Sequence, residues 1–389
     1  MKKTSRIILL LTLFSLPFSL FAGDQSEVWT RLYRRAISFE QKEMILNNIV
    51  KLDDRAFEPV LIEALEEMNG DLQKFRGDVV LMMQWIKMTR MIVKELGELK
   101  SLDAEDQIFF VATHTDDSLL VADALIALGN IRSVKYAPEV ATILRNLNFN
   151  TQQINRDNAE IEAYGAVMAL QKMREPIGFE PVFYSYIGWY SKRTKNLAGE
   201  ALKYITEDPT EPILAIVKEA DYDVKKTALF VEKESSAPAD NKNKIAVLAL
   251  EEGLKYQTAD KIEQDELSKL RIEAMKVLIE NKANDDAASP FLSEIIKRDY
   301  DVNETLYSLY ALGVIGSDKA VDILSTRLAL FNKRQQEGIT ASQKELGYIK
   351  QIIKSIGMSG NKSGSGVLAE VQFSDYTPAI NRLARESAN

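Results

Sequence analysis

Apolar side chains recur at helical spacing after six of the prolines in this chain. Two and five residues beyond Pro59 lie Leu61 and Ala64, and the other five prolines are followed by aliphatic or aromatic side chains in the same way. Positions two and five fall on one face of a helix, and proline suits the first helical turn, where its missing N–H has no partner. The pattern predicts six helices of one type, each with a buried stripe. They begin at Pro59, Pro138, Pro181, Pro212, Pro290 and Pro378.

A glycine recurs within a second phrase, which precedes several of these helices. Residues 127–131 read Ala-Leu-Gly-Asn-Ile, and similar phrases contain Gly97, Gly313 and Gly357. A further copy has Gln171 where the glycine would stand. Glycine is the usual left-handed residue at the C-terminus of a helix. We therefore predict that these glycines end the first helix of each repeating unit.

Acidic loops follow the second helix of the predicted unit. Two of them, Asp221-Tyr-Asp-Val and Asp299-Tyr-Asp-Val, lie 78 residues apart, as do Pro212 and Pro290. A third loop contains the aspartates at 116–117. Aspartate is a preferred N-cap residue, so each loop is predicted to cap the helix that follows it. The unit is thus a helix, a glycine stop, a short turn, a second helix and an acidic loop.

Together these phrases resemble HEAT repeats. The best single unit spans residues 117–147, and the resemblance covers roughly residues 30–389, in about seven to nine units. It implies an all-α fold, an α-solenoid in which antiparallel helix pairs stack into a superhelix, because a lone pair cannot bury both of its apolar sides. The resemblance implies an architecture and no particular activity.

The N-terminus has the three parts of a secretory signal. A basic start, residues 1–6, precedes the almost wholly apolar residues 7–16, and Ala22 offers a small residue at a cleavage site. We predict a signal peptide over residues 1–22, cleaved after Ala22, and a single repeat array over residues 23–389. The alternative is an uncleaved N-terminal anchor. No later apolar run reaches the length of about 18 residues expected of a membrane span, so the cleaved protein is predicted not to be integral to the membrane.

The charge and the composition exclude several classes of function. The net charge is -8, from 49 basic and 57 acidic side chains, and it becomes -11 when Lys2, Lys3 and Arg6 leave with the signal. An acidic chain is a poor nucleic-acid binder, so no nucleic-acid partner is expected. The absence of cysteine excludes disulfides and thiolate metal sites, and a single histidine, His114, excludes a multi-histidine centre. We predict no cofactor and no metal.

Two segments approach catalytic or metal-binding motifs without completing them. Residues 357–366 are rich in glycine and contain Lys362, but they lack the spacing of a phosphate-binding loop. Residues 299–304 supply the first three ligand positions of a calcium loop, but Glu304 and Tyr310 replace the required glycine and glutamate. With no catalytic constellation in evidence, the chain is predicted not to be an enzyme.

An aromatic segment, residues 179–190, is the leading candidate for a binding surface. It holds six aromatic side chains in twelve residues. Helical spacing places Phe183, Tyr186 and Tyr190 on one face, whereas Tyr184 points elsewhere. The segment has two interpretations: packing between repeats, or a binding hot spot in which aromatic rings give a large contact area. The candidate partner-binding residues are Phe183, Tyr184, Tyr186, Trp189 and Tyr190.

From these observations we predict a non-catalytic protein-binding or scaffold module of the cell envelope. Its partner would be another envelope protein, and its location the periplasm, the envelope or the exterior of the cell. The alternative is a peptidoglycan- or glycan-binding accessory, or a relative of a cell-wall enzyme, which uses the aromatic segment. A third interpretation is a structural member of a larger envelope assembly.

Overall fold

A computed structural model of the protein describes residues 19–150 and 155–388. All regular structure in these two ranges is helical, with twenty α-helices, a few short 3₁₀ segments and no strand. The predicted all-α class is therefore confirmed. The predicted signal peptide lies outside the described ranges except for its last four residues, which begin the first helix. Within the described residues, no helix is both long and apolar enough to cross a membrane.

The chain divides into two compact units, residues 1–206 and 207–389. In the first unit, helices α4, α6, α8 and α10 pack side by side in chain order. Each of α3, α5, α7 and α9 packs against the even-numbered helix that follows it, which gives a second row. The helices are α1 (Ser19–Arg35), α2 (Phe39–Leu52), α3 (Glu58–Phe75), α4 (Val79–Glu98), α5 (Glu105–His114), α6 (Ser118–Ile131), α7 (Ala137–Phe149), α8 (Arg156–Met173), α9 (Phe179–Ile187) and α10 (Lys192–Ile205).

The second unit repeats this arrangement. Helices α12, α14, α16, α18 and α20 pack side by side, and α11, α13, α15, α17 and α19 form the other row. The helices are α11 (Thr210–Glu219), α12 (Tyr222–Glu234), α13 (Ala239–Lys255), α14 (Lys261–Glu280), α15 (Ser289–Arg298), α16 (Val302–Ile315), α17 (Asp318–Gln336), α18 (Gln343–Ser359), α19 (Ser365–Glu370) and α20 (Pro378–Ser387). The prediction of one continuous array over residues 23–389 stays a prediction.

The proline pattern is confirmed at all six positions. Every one of the six prolines lies in the first turn of a helix, as Pro59 does in α3 and Pro378 in α20. None of the twelve side chains two and five residues beyond them is exposed, and Leu61 and Leu292 are completely buried. The stripe therefore faces the neighbouring helices, where it removes apolar surface from water.

The predicted role of the glycines is wrong. Gly97, Gly129 and Gly313 lie inside α4, α6 and α16, and none of them has a left-handed backbone. These positions hold glycine because the next even-numbered helix approaches closely. A Cβ on Gly129 would lie 2.6 Å from Ala169 Cα, and a Cβ on Gly313 would lie 2.6 Å from Ser355 Cβ. Gly357 meets α20 in the same way, 2.7 Å from Ser387 Cβ. The glycines set the spacing of the row and do not end helices.

The acidic loops cap helices in part as predicted. The Asp117 side chain accepts a hydrogen bond from the Leu120 N–H at the start of α6, at 2.7 Å. The Asp301 side chain accepts one from the Glu304 N–H at the start of α16, at 2.9 Å. Asp221 occupies the N-cap position of α12 but makes no side-chain cap bond. Two of the three predicted caps are therefore satisfied by the aspartate side chain.

Candidate functional site

The aromatic segment is largely packed inside the first unit. Phe183 and Tyr190 are buried, and Tyr184, Tyr186 and Trp189 are partly buried. The predicted shared face extends only over Phe183 and Tyr186, because α9 ends at Ile187.

Helix α9 ends where the backbone of Gly188 becomes extended. A Cβ on Gly188 would lie 2.6 Å from the Tyr184 carbonyl oxygen, so this position has no room for a larger residue. Trp189 then turns back, and its Nε1 donates a hydrogen bond to the Leu147 carbonyl at 3.4 Å. The Tyr184 ring meets Phe149 edge-on, with 5.1 Å between centroids. These contacts join α9 to α7, as expected of side chains that pack between neighbouring helices.

Tyr190 is the most unusual member of the segment. Its hydroxyl is buried and has no hydrogen-bond partner among the described residues. Burial and the nearby Glu160 carboxylate raise the pKa of this phenol well above its ordinary value. Glu160 is itself held by the Ser191 and Thr194 hydroxyls, which each donate to it at 2.5 Å. The prediction that the five aromatic residues bind a partner stays a prediction.

A second candidate site lies at the C-terminal ends of α4, α6 and α8. Here an open groove of about 600 Å³ crosses the row of helices in the first unit. Each of the three helices contributes residues from the same register. Counting from the glycine position, Gly97, Gly129 or Gln171 comes first, and the residue three further along is Lys100, Arg132 or Arg174.

These three cations occupy the left-handed backbone positions that the sequence analysis had assigned to glycine. The φ angles are 55° at Lys100, 61° at Arg132 and 59° at Arg174. A residue with a Cβ costs roughly 1–2 kcal/mol in this conformation, and glycine avoids that cost. Of the seven non-glycine residues with positive φ in the described ranges, these three are the ones that line the groove.

The cations are not needed to satisfy the helix ends. The Arg132 N–H already donates to the Gly129 carbonyl at 3.0 Å, and the Ser133 N–H to the Leu128 carbonyl at 3.0 Å. The same two bonds close α4, and at the end of α8 the Arg174 N–H donates to the Leu170 carbonyl at 3.1 Å. Within the described part of the chain, the side chains of Lys100, Arg132 and Arg174 are exposed and make no hydrogen bond or ion pair. Their charges therefore remain available to a ligand.

The other residues that line the groove are mainly of polar types. Lys172 adds a fourth cation, and its Nζ donates a hydrogen bond to Asn130. Glu98 is the one carboxylate in the lining, so cations outnumber anions there although the whole chain is acidic. Tyr204 of α10, about half exposed, closes one end with an aromatic ring. The arrangement suits an anionic group that spans several helix ends.

Glu95 lies one helical turn before Glu98. It is 6% exposed, and its burial together with the nearby Asp53 and Glu98 carboxylates raises the pKa of its carboxyl to about 7. Its neutral form is therefore favoured in the fold.

His114 and Asp299, which the sequence singles out, lie in contacts with neighbouring side chains. No group of three or more His, Asp or Glu side chains in the described ranges has the geometry to hold a metal ion. His114 ends α5 and stacks on Phe110, with 3.9 Å between ring centroids. Asp299, from the incomplete calcium loop, accepts hydrogen bonds from Lys344 and the Tyr348 hydroxyl at 2.7 and 2.6 Å. The His114 contact lies within α5, and the Asp299 contacts join the end of α15 to α18.

The sequence contains a signal for the groove, but the left-handed residue lies at the cation and not at the predicted glycine. Both glycine phrases of the first unit continue to a cation followed by serine, as Lys100-Ser101 and Arg132-Ser133. Locating the left-handed residue at the cation and not at the glycine would have revealed the basic row.

Comparison with known proteins adds no family. The chain matches no protein-family model and no curated protein.

Proposed function

We propose that this protein is an exported, non-catalytic scaffold of the cell envelope, built as a HEAT-like α-solenoid. The two rows of helices within each unit, with small residues where even-numbered helices meet, support a repeat architecture. The basic N-terminus and apolar run of residues 1–22 support export. Such repeat arrays offer an extended surface on which a partner protein can lie.

One observation carries the binding role, namely the groove with its three unpaired cations in left-handed backbone. Glycine would end these helices at lower cost, and Asp53, Lys282, Asp299 and Asp375 bear the same cost outside the groove. The binding role therefore rests on the three charges that share one groove. The proposed partner is an envelope protein with an acidic segment, since charge complementarity would direct it to this groove in an otherwise acidic protein.

The test is a crosslinking pull-down of mature protein from its own envelope extract. The variant Lys100→Gln/Arg132→Gln/Arg174→Gln removes the three charges and keeps side chains of similar length. A matched control, Lys297→Gln/Lys319→Gln/Lys350→Gln, removes three exposed cations from the second unit that also make no ion pair. We expect one dominant protein partner, identified by mass spectrometry, that is lost with the first variant and retained with the control.

Two outcomes would contradict the proposal. Hydrolase activity that disappears when one carboxylate is replaced would make the protein an enzyme. Recovery of glycan fragments instead of a protein, abolished by Tyr184→Ala/Trp189→Ala, would favour the cell-wall alternative and the aromatic segment.

A further inference from the structure

The basic groove takes one cation from the same register of each of three neighbouring helices, which restricts what can fill it. Helices α4, α6 and α8 are consecutive neighbours in one row, and each presents one cation at the same register. Packed helices lie about 8–10 Å apart between axes, so the row offers a positive charge at roughly that interval. A ligand with negative charges at the same interval would meet all three cations at once.

A polyproline II segment has this interval. It advances about 9 Å per turn of three residues, so carboxylates at every third position project from one side at the spacing of the helices. A β-strand fits less well, because residues three apart point to opposite faces. An α-helix repeats one face after seven residues, but helix recognition relies on apolar anchors in an apolar groove. Here the side chains that could anchor an apolar face are absent from the lining, apart from Tyr204.

Resting on the proposed function, we propose that the groove binds an extended acidic segment of a partner protein, in polyproline II conformation, with a carboxylate at every third residue. Lys100, Arg132 and Arg174 each pair with one carboxylate. Tyr204 contacts the segment beyond the third pair, where a proline ring would pack on its face. The Glu98 carboxylate repels the carboxylate that pairs with Lys100 and so lowers the affinity of the groove for the segment.

The binding probe is a dye-labelled nine-residue peptide with blocked ends, glutamate at every third position and proline and alanine between. A second peptide has the same composition with its three glutamates adjacent. A third peptide is a helix-forming sequence with three glutamates seven residues apart. Fluorescence anisotropy with mature protein compares the three peptides at low and at physiological ionic strength.

We expect the first peptide to bind about tenfold tighter than either of the others, since three modest ion pairs together give about that factor. Lys100→Gln/Arg132→Gln/Arg174→Gln should remove this preference, and the second-unit control Lys297→Gln/Lys319→Gln/Lys350→Gln should retain it. Glu98→Gln should tighten binding about twofold, because it removes the opposing charge. Salt should weaken binding of all three peptides.

Several results would overturn the inference. Equal binding of the spaced and adjacent peptides would show a groove that senses charge without spacing. Preference for the helical peptide would identify a helical partner. Equally tight binding of inorganic hexametaphosphate or of vesicles containing anionic phospholipid would point to a polyanion or a lipid surface. If the peptides fail while the pull-down still shows a partner lost with the triple variant, the scaffold proposal stands and only the conformation of the segment is wrong.

Discussion

The two units place their cations differently. In the second unit, Lys225 and Arg271 lie inside the fold, where Lys225 pairs with Glu252 at 2.8 Å. Arg271 pairs with Glu304 and also donates to the Gly253 carbonyl at 2.5 Å. These four side chains are nearly inaccessible to solvent.

In the first unit, three cations lie at the surface. Lys100, Arg132 and Arg174 stand exposed and unpaired at helix ends, whereas the matching helix ends of the second unit carry Lys282, Gly316 and Gly360. The second unit therefore uses two buried cations to hold helices together and has one exposed left-handed cation, Lys282. The first unit presents three such cations on consecutive helices of one row, in a single groove, at a cost in backbone strain. The difference separates a structural charge from a charge available for binding.

The largest expected effect comes from breaking an internal pair of the second unit. Glu304→Ala would leave the Arg271 guanidinium buried with one carbonyl as its remaining partner. Removing one member of a buried pair typically costs about 3–5 kcal/mol. We expect hydrogen-exchange protection of α14 and α16 to fall by that amount, measured by mass spectrometry on the mature protein.

The matched control replaces both charges. Arg271→Met/Glu304→Leu leaves no uncompensated ion, and we expect it to recover most of the lost protection. If Glu304→Ala changes protection no more than Arg132→Gln does in the first unit, then the inward and outward cations do not differ energetically.

The second effect concerns a buried carboxyl of the first unit that has no cation beside it. Glu95 titrates near pH 7 in the fold, above its ordinary value of 4.5, because of burial and of Asp53 and Glu98. The folded protein therefore binds a proton more tightly than the unfolded chain does. The contribution of Glu95 to the stability of the fold is fully present below pH 4.5 and is lost as the pH rises through about 7.

Glu95→Gln should abolish this loss, because an amide stays neutral and can donate to the neighbouring carboxylates. We expect the variant to exceed the original protein by about 2 kcal/mol at pH 8 and to equal it near pH 4. All three tryptophans, including the buried Trp85, belong to the first unit, so tryptophan fluorescence in urea reports on this unit. A pH-independent difference between the two proteins would show that Glu95 is not the titrating group.

Sequence reasoning predicted the helix starts and did not predict the basic groove, for physical reasons. Proline and the residues after it act locally, so Pro59 and Pro378 mark helix starts without knowledge of the tertiary structure. Gly129 is explained only by Ala169 of another helix, a contact of high sequence separation that the phrase itself does not reveal. The groove depends on the left-handed conformation of Arg132, which local propensity assigns to glycine.

The aromatic segment shows the same limit of prediction from sequence. Clustering of aromatic residues is visible in the sequence, but burial is not. Phe183 and Tyr190 are buried in the first unit, and the composition of residues 179–190 cannot distinguish such packing from a binding surface.

A smaller effect is expected from transferring the cation to the second unit. Gly316→Arg would place a Cβ in left-handed backbone, with φ at 62°, and 3.3 Å from the Ser359 carbonyl oxygen. We expect protection of α16 and α18 to fall by about 1–2 kcal/mol, the cost of the conformation and of the close contact. Gly366→Arg is the control, since that glycine has no neighbour within 4 Å and no positive φ, and it should leave stability unchanged or slightly raised. Equal losses from both variants would mean that the charge, and not the backbone, causes the effect.

The smallest effect is the reverse change in the first unit. Arg132→Gly should relieve about 1 kcal/mol of backbone strain and give up part of that gain through the lost attraction between the cation and the helix C-terminus. Arg132→Gln loses the same attraction and keeps the strain. We therefore expect tryptophan fluorescence in urea to rank the glycine variant about 0.5 kcal/mol above the original protein and the glutamine variant slightly below it. Both variants should lose peptide binding in the groove, because both lack the charge. A glycine variant that is less stable than the glutamine variant would show that Arg132 is kept for the fold, and the contrast between the two units would then have no functional meaning.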